Sequence, residues 1–292
     1  MKRVNVVGGG LAGVEACYFL LNKGYEVHLF EKRPKVNTPA HHTDLFGELV
    51  CSNSLKSNRL DNACGLLKEE MRHMNSLTMK IAAQTSVPSG NALSVDRDVF
   101  AQKITDELLS FPNLIVHHED VNDFLEGPTI IATGPLTSDG LAKKISELIG
   151  QDSLFFFDAS APIVLKESIN MNIAYKKSRY DQGDEGYINC PFSEEQYNKF
   201  YDELINAKVA MLHDFDKNYF EGCMPIEVMA KRGKETLRFG PMKPKGLQVE
   251  GREKFHAVIQ LRQDNLNGDL YNIVGFQTNL TYPEQKRVFR MI

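Results

Sequence analysis

An α/β fold is predicted by three observations at the start of the 292-residue chain. A short apolar strand at 4–7 runs into a glycine turn, a helix follows at once, and a second strand at 26–30 ends on an acid, Glu31. Gly8, Gly10 and Gly13 punctuate the turn, and Glu31 lies 23 residues after Gly8. Strand, glycine turn, helix, strand, acid is the layout of a Rossmann-like unit with a dinucleotide on its helix N-terminus. Gly8 allows the tight turn, Gly10 lets backbone approach a pyrophosphate, and Gly13 lets the helix pack closely on the strand. The unpaired N–H groups of the first turn, beginning at Leu11 and Ala12, then face phosphate. Glu31 is placed to bond a ribose hydroxyl, which favours FAD or NAD over a phosphorylated ribose. The competing reading is a glycine-rich turn in an unrelated α/β protein.

The remaining elements follow in order. Residues 33–58 are proline-, histidine- and serine-rich, a long loop of the kind that is usually functional or mobile. Helices are predicted at 59–74 and 96–110, then a strand at 114–117. A strand from 129 ends in Ala132-Thr133-Gly134, a small-residue turn suited to backbone lying close to a nucleotide. A helix at 138–149 and a buried strand at 155–157 complete a nucleotide domain over 1–160. Beyond it, Ser193 with Gln196 forms a capping box for a helix running to about 213, with Tyr197, Phe200, Leu204 and Met211 on its apolar face. Strands at 257–261 and 271–276 flank a polar turn. Residues 161–292 therefore read as a second, α+β domain.

Bulk properties bound the function. The composition, with 25% charged and 42% hydrophobic residues, is that of an ordinary globular protein. The sequence has no apolar run long enough to span a bilayer, and a strand beginning at residue 3 leaves no space for a leader. Five cysteines without scaffold density point to a cytoplasmic protein. The net charge of −4 argues against a surface basic throughout, yet residues 231–254 hold eight Lys and Arg against three Glu. Within that stretch Lys231, Arg232, Arg238, Lys243 and Lys245 are candidate phosphate contacts; a solvated surface is the plainer reading.

Two cysteines stand apart. Cys51 lies in a polar loop before Ser52-Asn53-Ser54. Cys223 lies at a glycine turn just ahead of Lys231 and Arg232, where positive charge favours a thiolate. Both are candidate catalytic thiols, and both are also readable as ordinary loop cysteines. His41 and His42 have no partner at metal-ligand spacing, so no metal is expected.

The chain resembles the folate- and FAD-dependent tRNA (uracil-5-)-methyltransferases, the TrmFO family, relatives of the larger GidA-type tRNA-modifying enzymes. The resemblance covers essentially the whole sequence and rests on several stretches. They are 8–13 with Glu15, 49–53, 178–180, 220–227, 238–244, 275–280 and 285–289. It implies methylation of uracil C5 in RNA, at the T-loop uridine of tRNA, with carbon from 5,10-methylenetetrahydrofolate, NAD(P)H as reductant and FAD as cofactor. By the same resemblance Cys223 is the thiolate that adds at uracil C6, and Cys51 is the base that removes the C5 proton. A ribosomal RNA uridine as target, and a shortened non-catalytic relative that binds RNA or protein, are the competing readings. Family members continue well past the last matched motif, so the sequence is expected to be part of a longer chain.

Overall fold

The computed structural model describes residues 2–150, 161–210 and 224–292. They fall into two compact units, with elements numbered along the chain. Unit 1 comprises Met1–Val50, Leu60–Thr85 and Arg97–Phe156; unit 2 comprises Cys51–Arg59, Ser86–Asp96 and Phe157–Ile292.

Unit 1 is built on a parallel sheet. Strands β1 (Arg3–Val7) and β2 (Glu26–Phe30) are joined by helix α1 (Leu11–Asn22). β6 (Leu114–His117) and β7 (Thr129–Ile131) flank them in the order β6-β2-β1-β7. Every pairing is parallel, and Val6 lies beside Leu29 on one side and Ile130 on the other. Val4, Val6, Val7, Val27, Leu29 and Phe30 are all buried without alternation, as strands covered on both faces require. Helix α1 contributes Val14, Cys17 and Leu21 to the core, and α4 (Arg97–Leu109) contributes Phe100, Ile104 and Leu108. Helices α2 (Ala63–His73) and α5 (Asp139–Ile149) match the predicted ones closely.

Helix α3 (Leu77–Gln84) is not foreseen by periodicity, because it is only eight residues long. Its start is fixed by a residue from elsewhere. The Glu15 carboxylate of α1 accepts from Ser76 Oγ at 2.6 Å, Leu77 N at 3.2 Å and Thr78 N at 2.6 Å. An acid at a helix N-terminus satisfies donors that the helix itself leaves unpaired.

Unit 2 holds an antiparallel sheet in the order β8-β12-β11-β10-β9. The strands are β8 (Ile163–Leu165), β9 (Tyr175–Lys176), β10 (Tyr187–Phe192), β11 (Ala257–Gln263) and β12 (Leu270–Ile273). Helix α6 (Glu194–Ile205) carries the predicted capping box and buries Tyr197, Phe200 and Leu204. It shares a core with α7 (Ile226–Lys231), α8 (Thr236–Phe239) and α9 (Tyr282–Phe289), through Ile226, Leu237, Phe276 and Val288.

Helix α6 stops short of the expected end near 213. The chain turns extended instead: Val209 bridges Leu280, and Ala210 N donates to Asn279 O at 2.8 Å. Met211 and His213 lie outside the described residues, as does the strand expected at 155–157. The strand expected over 271–276 ends at Ile273, where Phe276 N turns back to the Ile273 carbonyl.

A small third sheet, β3 (Ser54–Ser57), β5 (Ala92–Val95) and β4 (Ser86–Val87), pairs antiparallel in the order β3-β5-β4. Its strands are short and serine-rich, which hides them from pattern reading, and they carry two early stretches of chain into unit 2. No helix among the described residues is long and apolar enough to cross a membrane.

Candidate active site

The glycine turn of unit 1 has the geometry its spacing foretells. Gly8 sits at φ +100°, and a Cβ there would lie 2.7 Å from the Ala132 carbonyl oxygen. A Cβ on Gly13 would come within 1.8 Å of the Gly8 carbonyl oxygen, so helix and turn approach as closely as only glycine permits. Gly10 differs, since a Cβ there would meet no atom within 4 Å. It is the N-cap of α1, with no side-chain cap and no acid in the first turn. The space beside Gly10 is therefore open, at a helix start whose first amides have no intrahelical acceptor.

Glu31 lines the same cleft as Gly8 and Gly10. Its Oε2 accepts from Gly9 N at 2.8 Å, and its Oε1 accepts from Arg33 N at 3.1 Å and Arg33 Nε at 2.9 Å. Burial pushes this carboxyl up, but bonds and charge from Arg33, with the Gly9 amide, outweigh it and hold it below the usual range. Arg33 is fully buried and also donates to Glu48 Oε2 at 3.1 Å and to the Thr43 carbonyl at 3.0 Å.

The long loop after β2 is consequently an anchored one. Gly47 N donates to the Gly9 carbonyl at 2.8 Å, and buried Phe46 donates its amide to Thr105 Oγ1 at 2.8 Å. Gly9 and Arg33 also line the Glu31 cleft, and spacing alone singles out neither. His41 is occupied locally, its Nδ1 lying 2.6 Å from Thr38 Oγ1. Thr133 and Gly134 follow β7 against the Gly8 turn, and Thr133 Oγ1 lies 2.6 Å from Thr137 Oγ1.

The cysteines separate by environment. Cys17 and Cys190 are buried thiols pushed up to about 12 by burial, which makes them poor nucleophiles. Cys51 is half-buried and free of disulfide, at the start of a segment fixed within unit 2. Its neighbours are the fixed points. Arg262 Nε donates to Asn53 Oδ1 at 3.0 Å, and a second Arg262 nitrogen donates to Ser52 Oγ at 2.8 Å. Asn53, fully buried, donates to the carbonyls of Val95 and Gln263. Cys223 lies outside the described residues.

From Met224 onward that strand of chain is firmly held. Glu227 accepts from Thr278 Oγ1 and Asn279 N, both at 2.8 Å, and Ile226 N donates to Gln277 O at 2.7 Å. Thus the 220–227 and 275–280 stretches meet. The 178–180 and 238–244 stretches are neighbours too: Arg179 donates to Lys243 O at 3.0 Å, and Tyr180 N to Gly246 O at 2.9 Å. Among the basic residues, Lys231, Arg232, Lys243 and Lys245 are exposed. Arg238 is partly buried, paired with Glu235, and donates to the His256 carbonyl at 3.0 Å.

Comparison with known proteins bears on this arrangement. The model of the family "Glucose inhibited division protein A" matches residues 3–292. The methylenetetrahydrofolate–tRNA-(uracil-5-)-methyltransferase TrmFO of Lactobacillus johnsonii is 59% identical over 295 residues, spanning 100% of this chain and 67% of the relative. The chain belongs to the GidA family, in its TrmFO branch. A TrmFO of Bacillus pumilus is 55% identical over 291 residues, again with 67% of the relative covered. Aquifex aeolicus GidA, a solved structure, shares the fold at a TM-score of 0.65 and 14% identity, over 99% of this chain and 52% of that one. As a TrmFO-branch protein, the chain thus spans about two thirds of the length of these TrmFO relatives.

Proposed function

We propose that this chain methylates C5 of uracil in tRNA, at the T-loop uridine in position 54, using 5,10-methylenetetrahydrofolate with FAD as cofactor and NAD(P)H as reductant. The observation that carries the reading is 59% identity over the full chain to a relative named for that methyl donor, that RNA and that uracil carbon. In this reading unit 1, which holds most of residues 1–160, forms a Rossmann-like FAD-binding domain, and unit 2, which joins 51–59 and 86–96 to residues 161–292, an α+β insertion-type domain that meets RNA. The protein works in the cytoplasm.

The residues of unit 1 fit a dinucleotide. Gly8, Gly10, Leu11, Ala12 and Gly13 provide the open helix N-terminus for a pyrophosphate. Glu31 faces the cleft with lone-pair capacity left on Oε2, and the Thr133-Gly134 turn borders it. When bound, FAD supplies one-carbon transfer and reducing equivalents, chemistry that no side chain offers.

The chain's own groups do the rest. Uracil C5 is a weak nucleophile until a thiolate adds at C6 and places enolate character on C5; Cys223 has that role. Cys51 accepts the proton that C5 must lose, and expulsion of the Cys223 thiolate completes the cycle. Lys231, Arg232, Lys243 and Lys245 position the RNA backbone, while Arg238, expected from sequence as a fifth contact, holds the fold through Glu235 and the His256 carbonyl.

The test begins with FAD incubation, removal of free cofactor and a visible spectrum. Flavin-loaded protein, labelled methylenetetrahydrofolate, NAD(P)H and unmodified tRNA transcript should then yield label on uridine C5. Cys223→Ala should abolish transfer, and Cys51→Ala should leave only a trace. Flavin-loaded wild type that transfers no label would sink the proposal.

A further inference from the structure

Phe239 is the most exposed large apolar side chain among the described residues, at 76%. Single exposed apolar residues are common and by themselves mean little. This one is held by buried neighbours and lies in a stretch of chain rich in cations. Two residues before it, Leu237 is fully buried, and three after it, Met242 is fully buried. Residues two apart on a helix do not share a face, so anchoring Leu237 turns Phe239 outward. The turn is locked by Met242 N to Leu237 O at 2.8 Å and by Val258 N to Met242 O at 3.0 Å.

Charge defines what the ring can meet. Helix α7, which ends on Lys231, packs against α8, and Lys243 N bonds back to the Gly240 carbonyl. Lys231, Arg232, Lys234, Lys243 and Lys245 are exposed along residues 231–245, and the one acid in that stretch, Glu235, is paired with Arg238. Arg238 is thereby a holding residue, bonded to Glu235 and the His256 carbonyl. A displayed aromatic ring in a lysine-rich stretch is complementary to a base with its phosphates, because every base offers a π-face while cations take the backbone.

We infer that Phe239 is a stacking platform for an unpaired base of the RNA substrate. The inference rests on the reading of the 231–245 lobe as an RNA contact. It adds a residue that acts through a ring face rather than through charge.

The chain contains no tryptophan, so Phe239→Trp places a single, selectively excitable tryptophan at the platform. Titrated with an unmodified tRNA transcript, this variant should bind with wild-type affinity and show saturable quenching. Phe239→Ala and Phe239→Leu should each weaken binding about 5- to 150-fold, with the salt dependence and melting temperature unchanged. Phe239→Tyr should restore binding. Wild-type affinity in Phe239→Leu, or tRNA binding by Phe239→Trp without quenching, overturns the platform and leaves the basic lobe standing. Failure of the wild-type chain to bind the transcript at all would instead remove the lobe, and the platform with it.

Discussion

Arg262 donates to Asn53 across 3.0 Å, joining residues 209 positions apart. The same guanidinium reaches Ser52, and Asn53 is bonded on its other edge to two backbone carbonyls. The segment that begins at Cys51 is therefore fixed by a buried hydrogen-bond network, not left to sample solution. Arg262→Met removes a charged donor from Asn53 Oδ1 and from Ser52 Oγ, which keeps its bond from Ser54 N. A loss of about 1.5–3 kcal/mol is expected from a bond to a charged group. Asn53→Ala should cost a similar amount, and the double variant little more than either, because both break one network. Urea denaturation of the three variants checks this; strictly additive losses would mean that the residues act independently.

The glycine turn makes a sharper prediction, because two of its glycines are demanded for different reasons. Gly13→Ala places a methyl 1.8 Å from a carbonyl oxygen, so backbone must move. Gly10→Ala meets nothing within 4 Å and starts from φ −74°, which alanine adopts readily. Gly13→Ala should lower the melting temperature markedly. Gly10→Ala should cost less than about 1 kcal/mol as a cap change yet weaken FAD at least about tenfold, by filling the space a pyrophosphate needs. Thermal melts and flavin retention separate the two. Equal melting losses in both variants would contradict the assignment of Gly10 to ligand space.

Glu31 and Arg33 predict a pH dependence. The folded Glu31 carboxyl lies below its ordinary value of about 4.3, so the native state favours its charged form. Its contribution to stability is present above that value and is lost as pH falls through the lower folded value. The melting-temperature gap between wild type and Glu31→Gln should hold steady above about pH 5 and narrow below about pH 4. A gap that widens on acidification would reverse the sign. Arg33→Met, which leaves buried Glu31 and half-buried Glu48 without their cation, should cost about 3–5 kcal/mol at neutral pH.

How much of this was legible beforehand depends on sequence distance. Glycines at local spacing, a strand that ends on an acid and a capping box at Ser193 are short-range signals, and the structure bears out the turn geometry at Gly8 and Gly13 and the box. What escaped is long-range. Nothing near Asn53 announces Arg262, nothing near Ser76 announces Glu15, and nothing in 225–227 announces Thr278. Helix α6 ends early because Val209 finds a strand partner at Leu280, a competition that a local window does not contain. The recurring stretches behind the family resemblance were visible as words, but their pairwise meeting was visible only in three dimensions.

The basic lobe holds exposed lysines beside an arginine that is committed to the fold. Lys243 and Lys245 are exposed, whereas Arg238 is paired with Glu235 and donates to the His256 carbonyl. If the exposed lysines neutralise phosphates, each releases counterions on binding. Lys243→Gln and Lys245→Gln should then each reduce the slope of log affinity against log salt by about 1, with melting temperature unchanged. Arg238→Gln should do the opposite: it should lower the melting temperature through loss of the carbonyl contact, while the slope stays near that of wild type. tRNA titrations at several salt concentrations, beside melts of the same preparations, read both quantities. A slope that falls in Arg238→Gln and holds in the two lysine variants would exchange their roles.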